Sequence, residues 1–414
     1  MFMTSSRQAN HSNLNELLAW QLDSKADQTA FIFLHDGERE ELNWTYGKLA
    51  TKSRAIASYL QSLDASGGRA LLLYPAGLEF IAAFWGCLQS AVIAVPAYPP
   101  RLTPNVHRLN AIIKDSNAGI VLTNSSTFRK MQAFIKSDAR LAALKYICTD
   151  KLPEEAGLDW FLPNIDSDSI AFIQYTSGST QEPKGVIVSH SNVLENESLI
   201  QKAFRQSKDS VIVSWLPLHH DMGLIGGMLQ PVYLGARCIL MSPNSFLQRP
   251  CRWLNAITRY HATTSGGPNF AYEQCIRKIS VDESEGLDLG SWEVAFNGAE
   301  TVRETTLDRF SERFARAGFQ RSSFVPCYGL AEATLFVSGH ASKTAPIVLD
   351  LDAEALSQGL AAASDAKSGR RIVSCGQLGQ DSRLAIVNPE SSLPCSRHEI
   401  GEIWLAGPNI ALAY

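Results

Sequence analysis

A polar loop at residues 175–185 has the composition of a polyphosphate-binding site. It reads Tyr-Thr-Ser-Gly-Ser-Thr-Gln-Glu-Pro-Lys-Gly, and the apolar residues 170–173 and 186–188 indicate a strand on either side of it. Glycine lets the backbone approach a ligand closely, and main-chain N–H groups and hydroxyls donate hydrogen bonds to phosphate oxygens. Lys184 would add a compact positive charge. The residues expected to bind phosphate are Thr176, Ser177, Gly178, Ser179, Thr180 and Lys184.

Two other interpretations of this loop remain open. The P-loop of nucleoside triphosphatases has Gly-Lys-Ser/Thr before a helix. Here Lys184 precedes Gly185, no Ser or Thr follows the lysine, and Pro183 lies inside the loop, all of which disfavour a P-loop. The second interpretation is a surface turn rich in Ser and Thr. The composition alone favours phosphate binding over such a turn by a modest margin.

The loop and three later stretches resemble the signatures of one superfamily, in the same order. The later stretches are Trp-Leu-Pro-Leu-His-His-Asp-Met-Gly-Leu at 215–224, Tyr-Gly-Leu-Ala-Glu-Ala-Thr at 328–334 and Gly-Glu-Ile-Trp at 401–404. The chain thus resembles the adenylate-forming superfamily, which includes acyl-CoA synthetases, luciferases and the adenylation domains of peptide synthetases. Four matches in order over more than two hundred residues leave little room for chance.

Within that superfamily the chain looks like a fatty acyl-AMP ligase from about Phe31 to its end. The stretches that carry this closer resemblance are 70–75, 94–101, 265–272, 296–300 and 373–376. The resemblance implies an enzyme that uses ATP to convert a medium- or long-chain fatty acid into acyl-AMP. The acyl group would then pass to an acyl carrier protein, or to a carrier domain of a polyketide or peptide synthetase.

The resemblance also assigns roles to the polar residues around the reacting groups. It implies ATP and Mg²⁺ as cofactors, with Glu332 as the magnesium ligand, and a single carboxylate beside phosphates and water suffices for Mg²⁺. His220 would lie beside the reacting carboxylate and could donate to a developing charge, so His220 and Lys184 are the predicted catalytic residues. Ala331 stands where much of the superfamily has threonine, so that hydroxyl's role is absent or supplied elsewhere, for example by Thr334.

Two further sets of residues are predicted to hold the nucleotide base and the acyl chain. Small residues would let the backbone lie against adenine, with a tyrosine on the other face of the ring. The implied adenine-binding residues are Asn297, Gly298, Ala299, Tyr328 and Gly329. The implied acyl-binding residues are Met222, Gly227 and Gly267, although glycine and apolar residues at these positions are equally consistent with core packing.

Composition excludes several other classes of protein. The 414 residues are 45% hydrophobic and 19% charged, and the net charge is -4, so the chain has no basic footprint for nucleic acid. Its eight cysteines show no Cys-x-x-Cys pairing, which favours reduced thiols in the cytoplasm. The uncharged stretch 80–97 is long enough to suggest a membrane span, but Gln89, Ser90 and Pro96 favour a buried helix followed by a strand. We therefore expect a cytoplasmic protein without stable membrane insertion.

Apolar segments in the sequence alternate between strand and helix patterns. Strands at 70–74, 91–95 and 119–122 alternate with helices at 78–90 and 107–117, and the pattern repeats from 193 to 240. Such alternation predicts βαβ units and parallel sheets. The predicted fold is α/β, with two αβα lobes of similar fold and a small distorted β-barrel subdomain, as the resemblance also implies. The large domain would span 1–370 and the β-rich subdomain would begin in 371–414.

The segment from Ser338 to Arg371 resembles the insertion that distinguishes fatty acyl-AMP ligases from acyl-CoA ligases. We expect a helix near 352–363 and docking through Ile347, Leu349, Leu356 and Leu360; the alternative is a disordered linker. The family continues beyond the position of Tyr414 into a domain that carries a catalytic lysine, so we expect low activity from this chain alone. Two alternative functions stay open: an acyl-CoA ligase, and a non-catalytic module that binds nucleotide and acyl chain.

Overall fold

The computed structural model describes residues 11–414 except 101–102, 177–182, 343, 365–368 and 380. The strands in the described residues are β1 Thr29–His35, β2 Arg39–Thr45, β3 Arg69–Leu73, β4 Ile93–Ala97, β5 Ile120–Thr123, β6 Lys145–Cys148, β7 Ile170–Thr176, β8 Lys184–Ser189, β9 Val211–Ser214, β10 Arg237–Met241, β11 Thr264–Gly267, β12 Val294–Asn297, β13 Phe324–Pro326, β14 Tyr328–Gly329, β15 Phe336–Ser338, β16 Val348–Leu351, β17 Arg370–Val373, β18 Arg383–Val387 and β19 Glu402–Ala406.

The helices connect and cover these strands. The α-helices in the described residues are α1 Leu14–Lys25, α2 Tyr46–Ser62, α3 Leu78–Leu88, α4 Thr103–Ser116, α5 Ser125–Ser137, α6 Ala139–Ala142, α7 His190–Phe204, α8 Gln230–Leu234, α9 Pro243–Gln248, α10 Cys251–Tyr260, α11 Asn269–Lys278, α12 Val281–Ser284, α13 Glu304–Phe314 and α14 Ala353–Ser357. A π-helix, Met222–Leu229, leads directly into α8.

Two mostly parallel sheets form the centre of the protein. The first has the order β6-β5-β3-β4-β7-β8, and only the β7–β8 pair in it is antiparallel. The second has the order β13-β12-β11-β9-β10-β1-β2, with β1 and β2 joined by a hairpin that turns at Asp36 and Gly37. Helices flank both sheets, which confirms the predicted pair of αβα lobes.

Burial of apolar faces explains the position of the helices. Thr45 caps the start of α2, because its hydroxyl accepts a hydrogen bond from the N–H of Lys48 at 3.1 Å and satisfies one unpaired donor of the first turn. Helix α3 is buried along its whole length, with Phe84 and Trp85 fully covered. The apolar character of α3 is therefore that of a core helix. None of the helices in the described ranges is both long and apolar enough to cross a membrane.

The last part of the described chain contains short antiparallel strand pairs, as predicted. These are β14–β15, β16–β17 and β18–β19. The helix predicted near 352–363 is wrong in its extent, because α14 ends at Ser357. Gly359 follows with φ of +80°, a left-handed conformation that ends helices readily. The residues after it pair as isolated bridges instead, Leu360 with Glu399 and Ala363 with Leu351.

Candidate active site

The sequence motifs meet at one edge of the two sheets. Thr176 ends β7, Gly267 ends β11 and Asn297 ends β12, and each of these strands runs parallel to a neighbour. Because parallel strands share the edge at which they end, the loops that follow them lie close together. This edge is where ligands bind in many open α/β sheets, so the fold places the motifs where a site is expected.

The predicted phosphate loop is held at its base by strand pairing. Thr176 and Lys184 are directly opposite in the antiparallel β7–β8 register, which confirms the strand–loop–strand arrangement. The predicted phosphate-binding residues Ser177, Gly178, Ser179 and Thr180 lie outside the described residues. Gly185 packs so tightly that a Cβ there would meet the Tyr175 ring at 2.8 Å. Lys184 itself is exposed, so its charge is available to a ligand.

Glu332 lies in a short 3-10 turn, Ala331–Ala333, close to Lys184. The Tyr414 hydroxyl donates to Oε1 of Glu332 at 2.8 Å. The Lys184 ammonium lies 5.2 Å from the centre of the Tyr414 ring, within the range of a cation–π interaction. The structure thus brings the predicted cation and the predicted metal ligand to the same tyrosine side chain.

Thr334 does not supply the hydroxyl that Ala331 lacks. Its side chain is buried, and its Oγ1 donates to the carbonyl of Asn409 at 2.7 Å. Its φ of +65° is unusual for a β-branched residue. This strained backbone fixes the turn that carries Glu332. Thr334 therefore supports the site from the protein interior, and its side chain does not face the site.

Four of the five predicted adenine-binding residues line a single pocket. They are Gly298, Ala299, Tyr328 and Gly329. Asn297 is fully buried behind them, where its Nδ2 donates to Oδ1 of Asn269 at 3.3 Å. A Cβ at Gly298 would lie 2.8 Å from the carbonyl of Cys327, so only glycine lets the two strand ends come together here. The turn at Asn297–Ala299 places main-chain atoms along the pocket wall, and a flat base would need such a surface to pack against.

The two histidines of the second motif differ in their surroundings. His219 packs against the ring of Tyr98, with 5.1 Å between ring centres, and burial lowers the pKa of His219 to about 3. His220 reaches solvent at the site edge. Partial burial, with a smaller contribution from Arg108, lowers the pKa of His220 as well, and the charge of Asp221 opposes that shift. Both imidazoles are therefore neutral at pH 7, and each has one ring N–H to donate.

Asp221 was not predicted, although it follows His220 directly. It lines the pocket, and its Oδ1 accepts from the N–H of Met222 at 2.7 Å. Burial, with a further contribution from Glu332, raises the pKa of Asp221. A carboxylate between a histidine and a helix start is the signal that could have identified it, because such a residue caps the helix that forms one pocket wall.

Arg108 is a second residue that sequence reasoning missed. It lies on α4, and its Nη2 donates to the carbonyl of Thr176, at the base of the phosphate loop, at 3.3 Å. It also lines a second pocket together with His219, His220 and Tyr98. A lone arginine on an amphipathic helix carries no sequence signal for this role, because the contact spans 68 residues.

The predicted acyl-binding residues divide between the pocket and the core. Met222 lines the pocket, whereas a Cβ at Gly227 would meet Ser214 Oγ at 2.9 Å and one at Gly267 would meet the Trp215 ring at 2.7 Å. Both glycines therefore face packed side chains, and Gly226 lines the pocket instead. The other walls are mostly apolar and comprise Ile200, Phe204, Phe296, Leu335 and Phe336.

The π-helix Met222–Leu229 forms one side of this pocket. Turns of π-helix are rare and are found often at functional sites. Gly223 lies so close to the carbonyl of Pro217 that a Cβ at this position would clash with it. The wide helix and its glycines leave space between the helix and the second sheet, and the pocket occupies that space.

The described residues contain no cluster of three or more His, Cys, Asp or Glu side chains arranged to hold a metal ion. Glu332 beside a phosphate loop does fit Mg²⁺, which is commonly bound by one or two carboxylates together with substrate phosphates. The donor set thus suits a metal that arrives with a nucleotide rather than one that the protein holds by itself.

Comparison with known proteins agrees with this site. The AMP-binding enzyme family matches residues 18–414. The chain is 42% identical to the medium-chain-fatty-acid–[acyl-carrier-protein] ligase JamA of Moorena producens, over 97% of this chain and 69% of the relative. It is 34% identical to the corresponding ligase TtuA of Teredinibacter turnerae, over 95% of this chain and 67% of the relative.

A solved structure shows the same fold. The fatty acid AMP ligase of Legionella pneumophila superimposes with a TM-score of 0.93 at 40% identity, over 99% of this chain and 70% of that one. The chain spans about 70% of the length of these relatives. The chain belongs to the AMP-binding enzyme family and, within it, to the fatty acyl-AMP ligases.

Proposed function

We propose that this protein uses ATP to activate a medium-chain fatty acid as acyl-AMP, and that the acyl group then passes to an acyl carrier protein. The single observation that carries the proposal is one pocket lined both by Gly298, Ala299 and Tyr328 and by an apolar wall. A base and an aliphatic chain could occupy its two parts at once. The 42% identity to a medium-chain ligase supports the same substrate class.

The reaction requires little covalent chemistry from the protein. An oxygen of the fatty carboxylate attacks the α-phosphorus, the bond from that phosphorus to the bridging oxygen breaks, and pyrophosphate leaves. Positioning and charge neutralisation account for most catalysis of this kind. Lys184 and the loop from Thr176 would hold the departing phosphates. His220, being neutral, would donate its ring N–H to the carboxylate or to an α-phosphate oxygen without taking its proton.

Mg²⁺ is part of this proposal. Glu332 would bind it together with the β- and γ-phosphates, and the ion would neutralise phosphate charge there. Asp221 lies close enough to Glu332 for the charge of Glu332 to raise the pKa of Asp221. A cation at Glu332 would offset that charge and would therefore favour the ionised form of Asp221. The adenine would lie between the turn at Asn297–Ala299 and Tyr328, with Gly329 beside it.

We also propose how the chain is divided. Residues 1–370 would form the large domain, with the insertion 338–371, and 371–414 would begin the β-rich subdomain. The eight cysteines are all free, which suits a cytoplasmic enzyme supplied with ATP. Carrier protein rather than CoA is the proposed acceptor, since JamA and TtuA are named as ligases for acyl carrier protein.

Binding and exchange assays test the proposal separately. A non-hydrolysable decanoyl sulfamoyl adenosine should bind this chain far more tightly than AMP alone, measured by calorimetry. Decanoate should also support exchange of labelled pyrophosphate into ATP. Tight binding with no detectable exchange, in place of the slow exchange expected of this chain alone, would instead support the non-catalytic module. Efficient formation of acyl-CoA would support an acyl-CoA ligase. Exchange with amino acids but not with fatty acids would overturn the proposal.

A further inference from the structure

Arg108 is an exposed arginine that forms no ion pair with a carboxylate among the described residues. Its helix is fixed, because Val106, Leu109 and Ile113 of α4 are buried in the same apolar cluster as residues of β3 and β4. The bond from Nη2 to the carbonyl of Thr176 uses one guanidinium N–H and leaves the others. A guanidinium held in place without an anion beside it is suited to bind an anionic ligand.

The second pocket, a cavity of about 320 Å³, lies beside this guanidinium. Among the described residues that line it, Arg108 is the only one with a full charge at pH 7, because burial and Arg108 itself keep His219 and His220 neutral. The carboxylate of Asp115 accepts from the hydroxyl of Tyr175, another lining residue, at 2.5 Å and does not pair with Arg108. The cavity therefore presents a positive charge that no lining carboxylate offsets.

This cavity meets the pocket proposed for the base and the acyl chain at one short segment. The cavity is lined by His219 and His220, and the other pocket by the next two residues, Asp221 and Met222. The two share no lining residue. Arg108 therefore approaches the reacting groups from outside the pocket that would hold most of the acyl-adenylate.

Arg108 connects the phosphate side of the site with the carboxylate side. Thr176, which accepts its hydrogen bond, is opposite Lys184 in the β7–β8 register, and these two residues mark the position proposed for the departing phosphates. His220, which lines the same cavity as Arg108, marks the position proposed for the fatty carboxylate. The attacking and leaving oxygens of a phosphoryl transfer lie roughly in line, so the α-phosphate lies between these two positions. Arg108 reaches both of them.

The turn that carries Glu332 supplies no hydroxyl to this phosphate. Ala331 has no polar side-chain group, and Thr334 donates its hydroxyl proton to the carbonyl of Asn409. Phosphate oxygens need donors from elsewhere, and hydrogen bonds from a guanidinium to phosphate are among the strong ones because both groups are charged. The remaining N–H groups of Arg108 are suited to this role.

We propose that Arg108 binds the non-bridging oxygens of the α-phosphate and neutralises their charge while the carboxylate attacks. This inference rests on the proposed function, because it adds a binding group to the same reaction. The bond from the carboxylate oxygen to phosphorus forms as the bond to the bridging oxygen breaks, pyrophosphate keeps the electron pair, and Arg108 transfers no proton. The carbonyl of Thr176 orients the guanidinium for this contact.

AMP and adenosine test the contact in the absence of any reaction, since they differ only in the α-phosphate. Calorimetry should show that the wild type binds AMP more tightly than adenosine. Arg108→Gln should weaken AMP binding by about tenfold and leave adenosine binding unchanged. Arg108→Lys keeps the charge but not the planar fork, so its loss should be only about threefold. Arg129→Gln, which removes an exposed positive charge from α5, is the matched control and should behave like the wild type.

Exchange of labelled pyrophosphate into ATP separates the α-phosphate from the leaving group. With decanoate, Arg108→Gln should lower kcat on the order of 100-fold and change the KM for pyrophosphate less than about twofold. Thermal denaturation checks that each variant is folded. Exchange by the wild type reports on the proposed function, whereas the comparison of AMP with adenosine reports on Arg108 even without exchange.

Three results would overturn the inference. The first is a wild type that binds AMP no more tightly than adenosine. The second is a folded Arg108→Gln variant whose affinity for AMP is unchanged, or falls by the same factor as its affinity for adenosine, which would indicate a structural role. The third is a variant in which only the KM for pyrophosphate rises, since that would place Arg108 at the leaving group.

Discussion

The hydroxyl of Tyr414 donates a hydrogen bond to Oε1 of Glu332 at 2.8 Å, and the carboxylate of Glu332 raises the pKa of Tyr414. The segment around Tyr414 is tied to the same turn by its backbone, since the N–H of Ala411 donates to the carbonyl of Glu332 at 2.9 Å. Ala413 also forms a bridge with Ile187 beside the phosphate loop. The carboxylate proposed to bind Mg²⁺ is therefore already paired with a neutral donor that a cation would have to displace.

Replacing Glu332 tests its proposed role in metal binding. Glu332→Gln keeps the size of the side chain and the possibility of a hydrogen bond to Tyr414 but removes the charge. We expect acyl-AMP formation at a fixed Mg²⁺ concentration to fall on the order of 100-fold, with little change in melting temperature. Glu390→Gln, at an exposed turn, is the matched control. An exchange rate unchanged by Glu332→Gln would remove this residue from the site.

Replacing Tyr414 tests the competition between its hydroxyl and the cation. Tyr414→Phe should raise the apparent affinity for Mg²⁺ by about two- to fivefold, because one exposed hydrogen bond no longer has to be broken. A titration of exchange activity against Mg²⁺ measures this effect. A weaker apparent affinity in the variant would show instead that the hydroxyl supports the metal-bound state.

Lys184 is expected to act on the phosphates and to contribute little to folding. Its side chain is exposed and lies near the Tyr414 ring. Lys184→Ala should raise the KM for ATP more than tenfold while the free energy of unfolding changes by less than about 0.5 kcal/mol. Lys202→Ala, on the exposed face of α7, is the control. Equal effects of the two substitutions on KM would contradict a specific phosphate contact.

Acid should destabilise the protein partly through His190. This side chain is buried, its Nδ1 accepts from the N–H of Leu14 at 3.2 Å, and burial lowers its pKa to about 4. The unfolded chain takes up this proton near pH 6.5 and the folded protein only near pH 4. The contribution is therefore complete above pH 6.5 and is lost as the pH falls toward 4, by up to ~3 kcal/mol.

Urea unfolding from pH 7.5 to 4 measures that loss. His190→Asn keeps an acceptor for Leu14 but cannot take up a proton, so its stability should fall less steeply over the same interval. The buried His219 remains in the variant and keeps its own share of the slope. His107→Gln, at an exposed position, should behave like the wild type. Identical slopes for His190→Asn and the wild type would show that His190 is not the titrating group.

The strands and helices whose apolar residues recur at a regular spacing were predicted well from the sequence. Alternating apolar segments identified both mostly parallel sheets. The turn that carries Glu332 was predicted from its resemblance to a family motif, and β7 and β8 were predicted from the apolar residues on either side of the polar loop. These features are local, so neighbouring residues determine them.

Contacts between distant segments were not predictable in the same way. Gly227 and Gly226 are adjacent, and only the path of the π-helix determines which of them faces the pocket. Gln206, Gln230 and Thr264 line the same pocket from three separate parts of the chain, and nothing in the spacing of the sequence indicates that they meet. Arg108 reaches Thr176 across α4 for the same reason.

The segment 338–371 is attached to the rest of the chain by polar contacts more than by the apolar side chains predicted for it. Ile347, Leu349 and Leu360 are exposed. The backbone instead pairs with the subdomain, where the N–H of Ala361 donates to the carbonyl of His398 at 2.7 Å and the N–H of Ile400 to that of Gly359 at 2.8 Å. Strand β17 adds an ion pair from Arg371 to the buried carboxylate of Glu304 at 2.5 Å.

Replacing Arg371 tests whether this ion pair holds the segment in place. Arg371→Ala removes the contacts with Glu304 and Asp350, while Arg321 remains 3.8 Å from Glu304. Because Glu304 keeps that partner and Arg371 is half exposed, we expect a loss of only about 1 kcal/mol. The amides of β16 should nevertheless exchange with deuterium faster, since all four residues of β16 pair with β17. Arg370→Ala, the neighbouring exposed residue, is the matched control. Unchanged exchange in Arg371→Ala would show that pairing with β17 is enough to hold β16. The segment 338–371 would then have to be held in place through the backbone contacts at Ala361 and Ile400.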